Sequence, residues 1–307
     1  MASVTLVESA KLTQDLLVQG VIENIITVNP IYQIMPFMPI SGNAISYNRE
    51  LALGDTEFIT VGDTIVAKAA ATYTNVTSAL KVLIGDAEVD HFIQATRSNK
   101  TDQKAQQVAS KAKSIGRLFQ NQMINGDATN PTDSFDGLLR LIAAAQKVTP
   151  STNGDALSFA LLDTMIDLVK SKDGQVDFFM MPARTIRSYM ALLRALGGAS
   201  INEVITLPNG AQQMAYRGVP IFKNDWIPVN QTQGATTTCT TVFAGCFDDG
   251  SGKVGVSGLT SEENSGVFVT EVGESETKNE TITRVRFYAG LAVFSELSIA
   301  MAAGITN

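Results

Sequence analysis

The 307-residue sequence holds one histidine, His91, and two cysteines, Cys239 and Cys246. These shortages exclude much chemistry. A Ser-His-Asp or Cys-His arrangement could be built only around His91. That residue sits in EVDHFIQA at the start of a long helical pattern, the setting of a structural or interface side chain. A zinc site needs more His or Cys than this, and the two cysteines are far from His91 along the chain. They are also too few for a disulfide framework and read as free buried thiols in a reducing compartment. No segment provides the roughly 20 apolar residues that span a bilayer. The opening MASVTLVESAKLTQ has no cationic stretch followed by an apolar one, so no signal peptide is visible. Without one, the Asn-X-Thr triplets at Asn75, Asn230 and Asn279 carry no meaning for glycosylation.

Charge is scarce as well. Only 17% of residues are charged, against about 25% in an ordinary globular chain. Less hydrated, repulsive surface hints at surface buried against partners, although a well-packed acidic monomer would read the same way. The net charge of −7, with no cluster of Lys and Arg to grip phosphates, argues against sequence-specific binding of DNA or RNA. With 45% hydrophobic residues, the chain is globular and long enough for one large domain or two ordinary ones.

What is present is organised unusually. Residues 29–50 read NPIYQIMPFMPISGNAISYNRE, an apolar strap followed by a polar-studded strand. Pro36 and Pro39 fix φ and remove backbone donors, which rules out a continuing helix or a central strand. Such a strap must be covered, by the chain's own core or by a neighbouring copy. Before it, Leu6, Leu12, Leu16, Leu17, Val21 and Ile25 recur at helical spacing over residues 5–27, interrupted by Gly20 and ended by Asn29-Pro30. After it, ISYN, EFITV and ATYTNVTSALKVLI read as strands, with turns at Gly54-Asp55 and Gly62-Asp63. Short, polar strands predict a hairpin solvated on both faces and projecting from the body.

Residues 98–125 carry the clearest periodicity. Ala105, Val108, Ala109, Ala112, Ile115, Phe119 and Met123 fall on one stripe, Lys104, Lys111, Lys113 and Arg117 lie off it, and Gly126 closes the helix. At ~1.5 Å per residue this helix is roughly 40 Å long, a backbone for the molecule. Its basic residues read as a solvated face. Further helices are expected over 155–171 and from Pro182 to Gly197-Gly198, with a buried strand at 175–180 between them. RGVPIFKND, TTVFAGCF, GVFVTEV and the long ETITRVRFYAGLAVFSELSIAMAAG read as strands. Helices and strands mix without a repeating βαβ period, so the class is α+β.

The local motifs speak against an enzyme. Gly250-Ser-Gly252-Lys-Val-Gly255 spells GxGxxG, but no helix opens after it to hold a pyrophosphate, and the Walker spacing is absent. It reads as a glycine-rich hairpin. Asp248-Asp249 lacks EF-hand spacing, and Glu262-Glu263 lies in a polar loop with nothing to perturb it. No catalytic residue, cofactor or metal is expected. An α+β enzyme with an acidic site in the 248–263 loop is a rival that lacks both histidines and a nucleophile.

The order of elements resembles the major capsid proteins of tailed double-stranded DNA bacteriophages with the Hong Kong 97-like fold. The resemblance rests on Phe135-Asp136-Gly137-Leu138-Leu139 after the long helix, Met181-Pro182-Ala183-Arg184, Gly218-Val219-Pro220-Ile221 and the closing AVFSELSIAMAA. It implies an N-terminal arm at 1–40, an E-loop hairpin at 41–84 and a P-domain with its spine helix at 85–140. An A-domain at 141–279 and return strands at 280–307 completing the P-domain follow. Many members begin with a long helical scaffolding segment; here the arm starts within a few residues of Met1, so scaffolding is expected from a separate protein or not at all.

The implied function is structural: self-assembly into hexamers and pentamers of an icosahedral shell around packaged double-stranded DNA, held without sequence-specific binding. An encapsulin-like nanocompartment is the alternative. Contacts between copies are implied for Ile31, Tyr32, Met35, Phe37 and Met38 of the strap and for Tyr47, Arg49 and Glu50 of the E-loop. Implied partners are further copies of the chain, a portal protein, a scaffolding protein and a decoration protein, with no membrane. The implied location is the virion, after assembly in the cytoplasm of a bacterial host.

Overall fold

A computed structural model describes residues 31–97, 102–129, 133–195, 203–207, 210 and 212–306. The expected helix over 5–27 and the stop at Gly197-Gly198 lie outside these residues. The strap opens with one helical turn, α1 (Ile31–Ile34), closed where the Met35 N–H donates to the Ile31 carbonyl at 3.0 Å. This corrects the expectation of a strap without helix: Pro36 ends the turn but does not prevent it. Strand β1 (Phe37–Ile40) follows. It runs parallel to a single neighbour, so Pro39 occupies an edge, where its missing donor costs no ladder bond.

The next strands, β2 (Ala44–Ala52) and β3 (Thr72–Ala79), form a two-stranded sheet of their own. Most of its residues face solvent, as the polar alternation required. EFITV is not a strand: residues 57–61 lie in the loop between β2 and β3, outside every sheet among the described residues. ATYTNVTSALKVLI is two strands, since the chain turns at Leu80 into β4 (Lys81–Asp90).

Helix α2 (His91–Arg97) leads to the long helix α3 (Gln103–Asn125). Asp102 caps α3, accepting from the Lys104 and Ala105 amides at 3.0 and 3.2 Å. These bonds and one from Gln94 hold its carboxyl below the usual range, the Gln94 bond most strongly. Of the expected stripe, Ile115, Phe119 and Met123 are buried, whereas Ala105 and Ala109 are exposed. The helix therefore seats on its C-terminal half. Its end does not use a left-handed glycine. Gly126 has φ −55°, and glycine is required there by space: its carbonyl accepts from Gly137 at 2.9 Å, bringing two backbones into contact. After Gly137 come the short α4 (Leu138–Leu141) and β5 (Lys147–Val148).

The remaining elements are α5 (Phe159–Leu168), capped by Ser158, β6 (Phe178–Met181), α6 (Ala183–Ala195) and β7 (Glu203–Thr206). Then come β8 (Gln212–Tyr216), β9 (Val219–Lys223), β10 (Gln231–Gln233) and β11 (Thr236–Gly245). The chain closes with β12 (Val256–Ser261), β13 (Val267–Glu274), β14 (Glu280–Val293) and β15 (Ile299–Ile305). Arg217 and Gly218 join β8 to β9 with φ of 50° and 80°, the pair of positive values that a type I′ hairpin turn requires.

An eight-stranded sheet runs β5-β15-β11-β6-β9-β8-β7, with β10 on β11. It is the middle layer. Along β6, Phe178 and Met180 point into one core, with α3 and the smaller sheet, while Phe179 and Met181 point into a second, with α5 and α6. Burial on both faces explains why FFMM is apolar throughout. The five-stranded sheet joins β1, β12, β14, β13 and β4. The sheets do not divide as 141–279 and 280–307: β12 and β13 pair with β14 in the smaller sheet, and β15 pairs with β11 in the larger.

Gly126→Ala would press a methyl group into the Phe135 and Gln122 carbonyls. We expect a loss of about 3 kcal/mol, read by chemical denaturation; an unchanged midpoint would show that the two backbones can part freely.

Candidate assembly surfaces

The root of the β2–β3 hairpin is fastened to the body by two side chains. Tyr47 donates its hydroxyl to the Val293 carbonyl at 2.9 Å. Arg49 donates to the carbonyls of Val293 at 2.5 Å and Phe294 at 2.9 Å, and to the Glu296 carboxylate at 3.0 Å. All these acceptors lie where β14 hands the chain over to β15. The Tyr47 ring meets Phe294 edge-on at 5.3 Å. Exposed Glu50 lines a cleft of about 410 Å³ between hairpin and body, with Asn48, Lys253 and Leu297.

The strap residues divide by side. Ile31 and Met35 are buried in the chain's own core. Tyr32 donates to the Gln120 carbonyl at 3.1 Å, and burial pushes its phenol well above the ordinary value. Met38 packs against the small cluster of Ile40, Leu259, Ala292 and Phe294. Phe37 packs against Phe119 but keeps 38% of its surface. The structure thus gathers Tyr47 and Arg49 on one crossover, and Tyr32 and Phe37 on α3.

Sequence reasoning missed the far end of the hairpin. Phe58, Ile59, Val61, Ile65 and Val66 are all exposed there. The Glu57 carboxylate ties the two limbs of the loop together, accepting from the Val66 and Ala67 amides at 2.5 and 3.0 Å. The signal was the EFITV pattern itself, a strand-like segment with no strand partner among the described residues. A second missed feature is the sheet face turned away from α3. Asp86 receives both branches of Arg284 at 2.7 and 2.8 Å, and that guanidinium holds the carboxyl below its usual range.

The chemical candidates resolve into structure. His91 lies 3.3 Å from the Thr281 hydroxyl and 3.7 Å from Glu274. Cys239 and Cys246 are free and buried. The GxGxxG stretch is the turn between β11 and β12, with no helix after it. Among the described residues no three His, Cys, Asp or Glu side chains are grouped to hold a metal. No helix among them is long and apolar enough to cross a membrane.

A model of the SU10 major capsid protein family matches residues 55–206, from the hairpin loop to β7. The fold is that of viral and encapsulin shells. The SrpI encapsulin of Synechococcus elongatus PCC 7942 is similar at 18% identity and a TM-score of 0.73, over 99% of this chain and 97% of that one. The cyanophage A-1(L) capsid is similar at 11% identity and a TM-score of 0.70, over 99% and 100%. The capsid of the native GTA particle follows at 13% identity and 0.67, over 98% of each chain. No curated protein matches the sequence. That family match spans just under half of the chain, and the fold is Hong Kong 97-like; together they support a structural role as a capsid subunit of the tailed-phage type.

Two outcomes are expected of these contacts. Arg49→Ala should leave the global unfolding midpoint nearly unchanged, because the lost acceptors are partly hydrated. Amides of β2 and β3 should exchange faster by an amount equivalent to about 1–2 kcal/mol, and unchanged exchange would show that the clamp is dispensable. A depressed Asp86 pKa contributes stability that is complete above the unfolded value near ~4 and is lost as pH falls through the folded one. Thermal unfolding of Asp86→Asn from pH 7 to 2 should therefore show a shallower acid decline than the parent; equal slopes would assign the decline to other carboxylates.

Proposed function

We propose that the chain assembles into hexamers and pentamers of an icosahedral shell that encloses packaged double-stranded DNA. The observation that carries the reading is the projecting hairpin. Its loop exposes five large apolar side chains that none of the described residues covers, and apolar surface left in water costs roughly 25 cal/mol per Å². Burial between copies removes that cost, and the family match begins at the same loop.

In this reading residues 1–40 act as an arm and 41–84 as the loop that reaches over a neighbour. Phe37 of the strap and Glu50 of the hairpin meet adjacent copies, while Tyr47 and Arg49 set the direction of the reach. The excess of acid suits contents that enter and leave without being gripped, since no basic cluster is present to hold phosphates. A portal, a scaffolding protein and a decoration protein are the expected partners, and the bacterial cytoplasm is the site of assembly. A compartment loaded with protein cargo is the second reading, favoured by the likeness to the SrpI encapsulin.

Electron microscopy of the purified full-length chain, beside its elution volume on a sizing column, tests the assembly. Rings or uniform polyhedral shells are expected. A chain that stays monomeric both when concentrated and in lysates of infected cells, where any scaffolding protein is present, would remove the reading. Extraction of particles made during infection separates the contents: nuclease-protected double-stranded DNA supports the phage shell, and a single enriched protein supports the compartment.

A further inference from the structure

Among the described residues the smaller sheet ends in an open edge. Ala289 of β14 pairs with Lys81 of β4 on one side and with Thr260 of β12 on the other. Strand β4 is therefore outermost, and no strand pairs with its other edge among the described residues. Beside the start of that edge runs a groove of about 230 Å³, lined by Val82, Leu83, Leu118, Gln122, Ser134 and Phe135. Val82 and Ile84 are 60% and 54% exposed, and Leu118 is 47% exposed. An unpaired strand edge beside an apolar groove is the geometry that accepts an added strand.

The same chain carries a strand without an edge. Residues 57–61, EFITV, have the β-branched and aromatic composition of a strand and belong to no sheet. We propose that residues 57–61 of one copy pair as an added strand along the open edge of β4 in a neighbouring copy. This rests on the shell reading and names the seat of the hairpin loop.

Both faces of such a strand match. Alternation puts Phe58 and Thr60 on one side and Ile59 and Val61 on the other. On the α3 side Phe58 enters the groove between Leu118 and Phe135. On the opposite side Ile59 and Val61 meet Val82, Ile84 and Tyr288, the last cross-strand from Val82. Charge agrees as well. The loop at 53–71 holds Asp55, Glu57 and Asp63 against one cation, Lys68, whereas α3 holds Lys104, Lys111, Lys113 and Arg117 and no acid. A copy cannot serve itself. Strand β3 leads directly into β4, and its eight residues at ~3.3 Å each hold the loop roughly 25 Å from its own groove.

The test is disulfide trapping in assembled particles of the full chain, where Cys239 and Cys246 are buried and silent. Ile59→Cys with Val82→Cys, and separately Phe58→Cys with Leu118→Cys, should give ladders of linked chains on non-reducing gels after mild oxidation. Ile59→Lys should raise the concentration needed for assembly by about tenfold while leaving subunit unfolding unchanged, since Ile59 lies exposed. Particles that form normally with neither pair linked and with Ile59→Lys harmless would overturn this pairing and leave the shell reading intact. Failure of the parent chain to form particles, with no link in the concentrated subunit, would overturn both. A link within single chains would assign the edge to the chain's own loop and also refute the proposal.

Discussion

Four aromatic rings converge on Phe119, and the strap, the long helix and the smaller sheet meet at that contact. Tyr32 and Phe37 come from the strap, Phe135 from the loop after α3, and Phe287 from β14, with centroids 5.4 to 6.3 Å from Phe119. Rings at these separations and angles add directional preference to plain burial. Phe119 is itself on the spine helix, so one side chain fixes the angle at which the strap, the helix and the smaller sheet meet. A change there would loosen the core and also swing the elements that leave it.

What leaves the core is then held at its root and free at its end. Arg49 and Tyr47 bind the crossover between β14 and β15, which is also the only direct passage of the chain from the smaller sheet into β15. The hairpin is thus referred to both sheets at once. Beyond Glu50 the two strands have only each other, and a two-stranded ribbon with polar faces has no core to stiffen it. A firm root and an uncovered tip make a lever whose far end is ordered only by what it touches. That division suits a subunit whose contacts lie outside itself.

The sequence was informative wherever burial is one-sided or total. The stripe on α3, the apolar run of β6 and the solvated hairpin all have periodicities set by their own packing. Its failures have separate local causes. EFITV has the local preference of a strand, yet a strand needs an edge, and it pairs with none among the described residues. Ala105 and Ala109 lie on the helical stripe, but they stay exposed where Val108 and Ala112 are only partly buried, and full burial of the stripe begins at Ile115. Ile31 and Met35 look like surface that awaits a neighbour, because the α1 turn that folds them inward is too short to leave a period. Cys239 and Cys246 were legible as free buried thiols because the chain offers too few cysteines for a framework, and the glycine-rich stretch as a turn because no helical pattern follows it.

A loop of one copy on a strand edge of the next joins two different patches, and such head-to-tail contacts do not close as pairs. They continue until rotation brings the last copy back to the first, which gives rings, or they run on as open filaments. The unpaired edge of β4 carries the same hazard in a free subunit, because exposed edges invite unrelated strands. Two features limit it. Asp86, Glu88 and Asp90 set polar, partly hydrated side chains along the second half of the edge strand, where an apolar segment would have to desolvate them, and leave Val82 and Ile84 as its exposed apolar part. The segment that fits there arrives on a lever whose direction Arg49 has already set. Specificity then comes from geometry at the root and charge along the edge, while the apolar contact at the tip supplies the affinity.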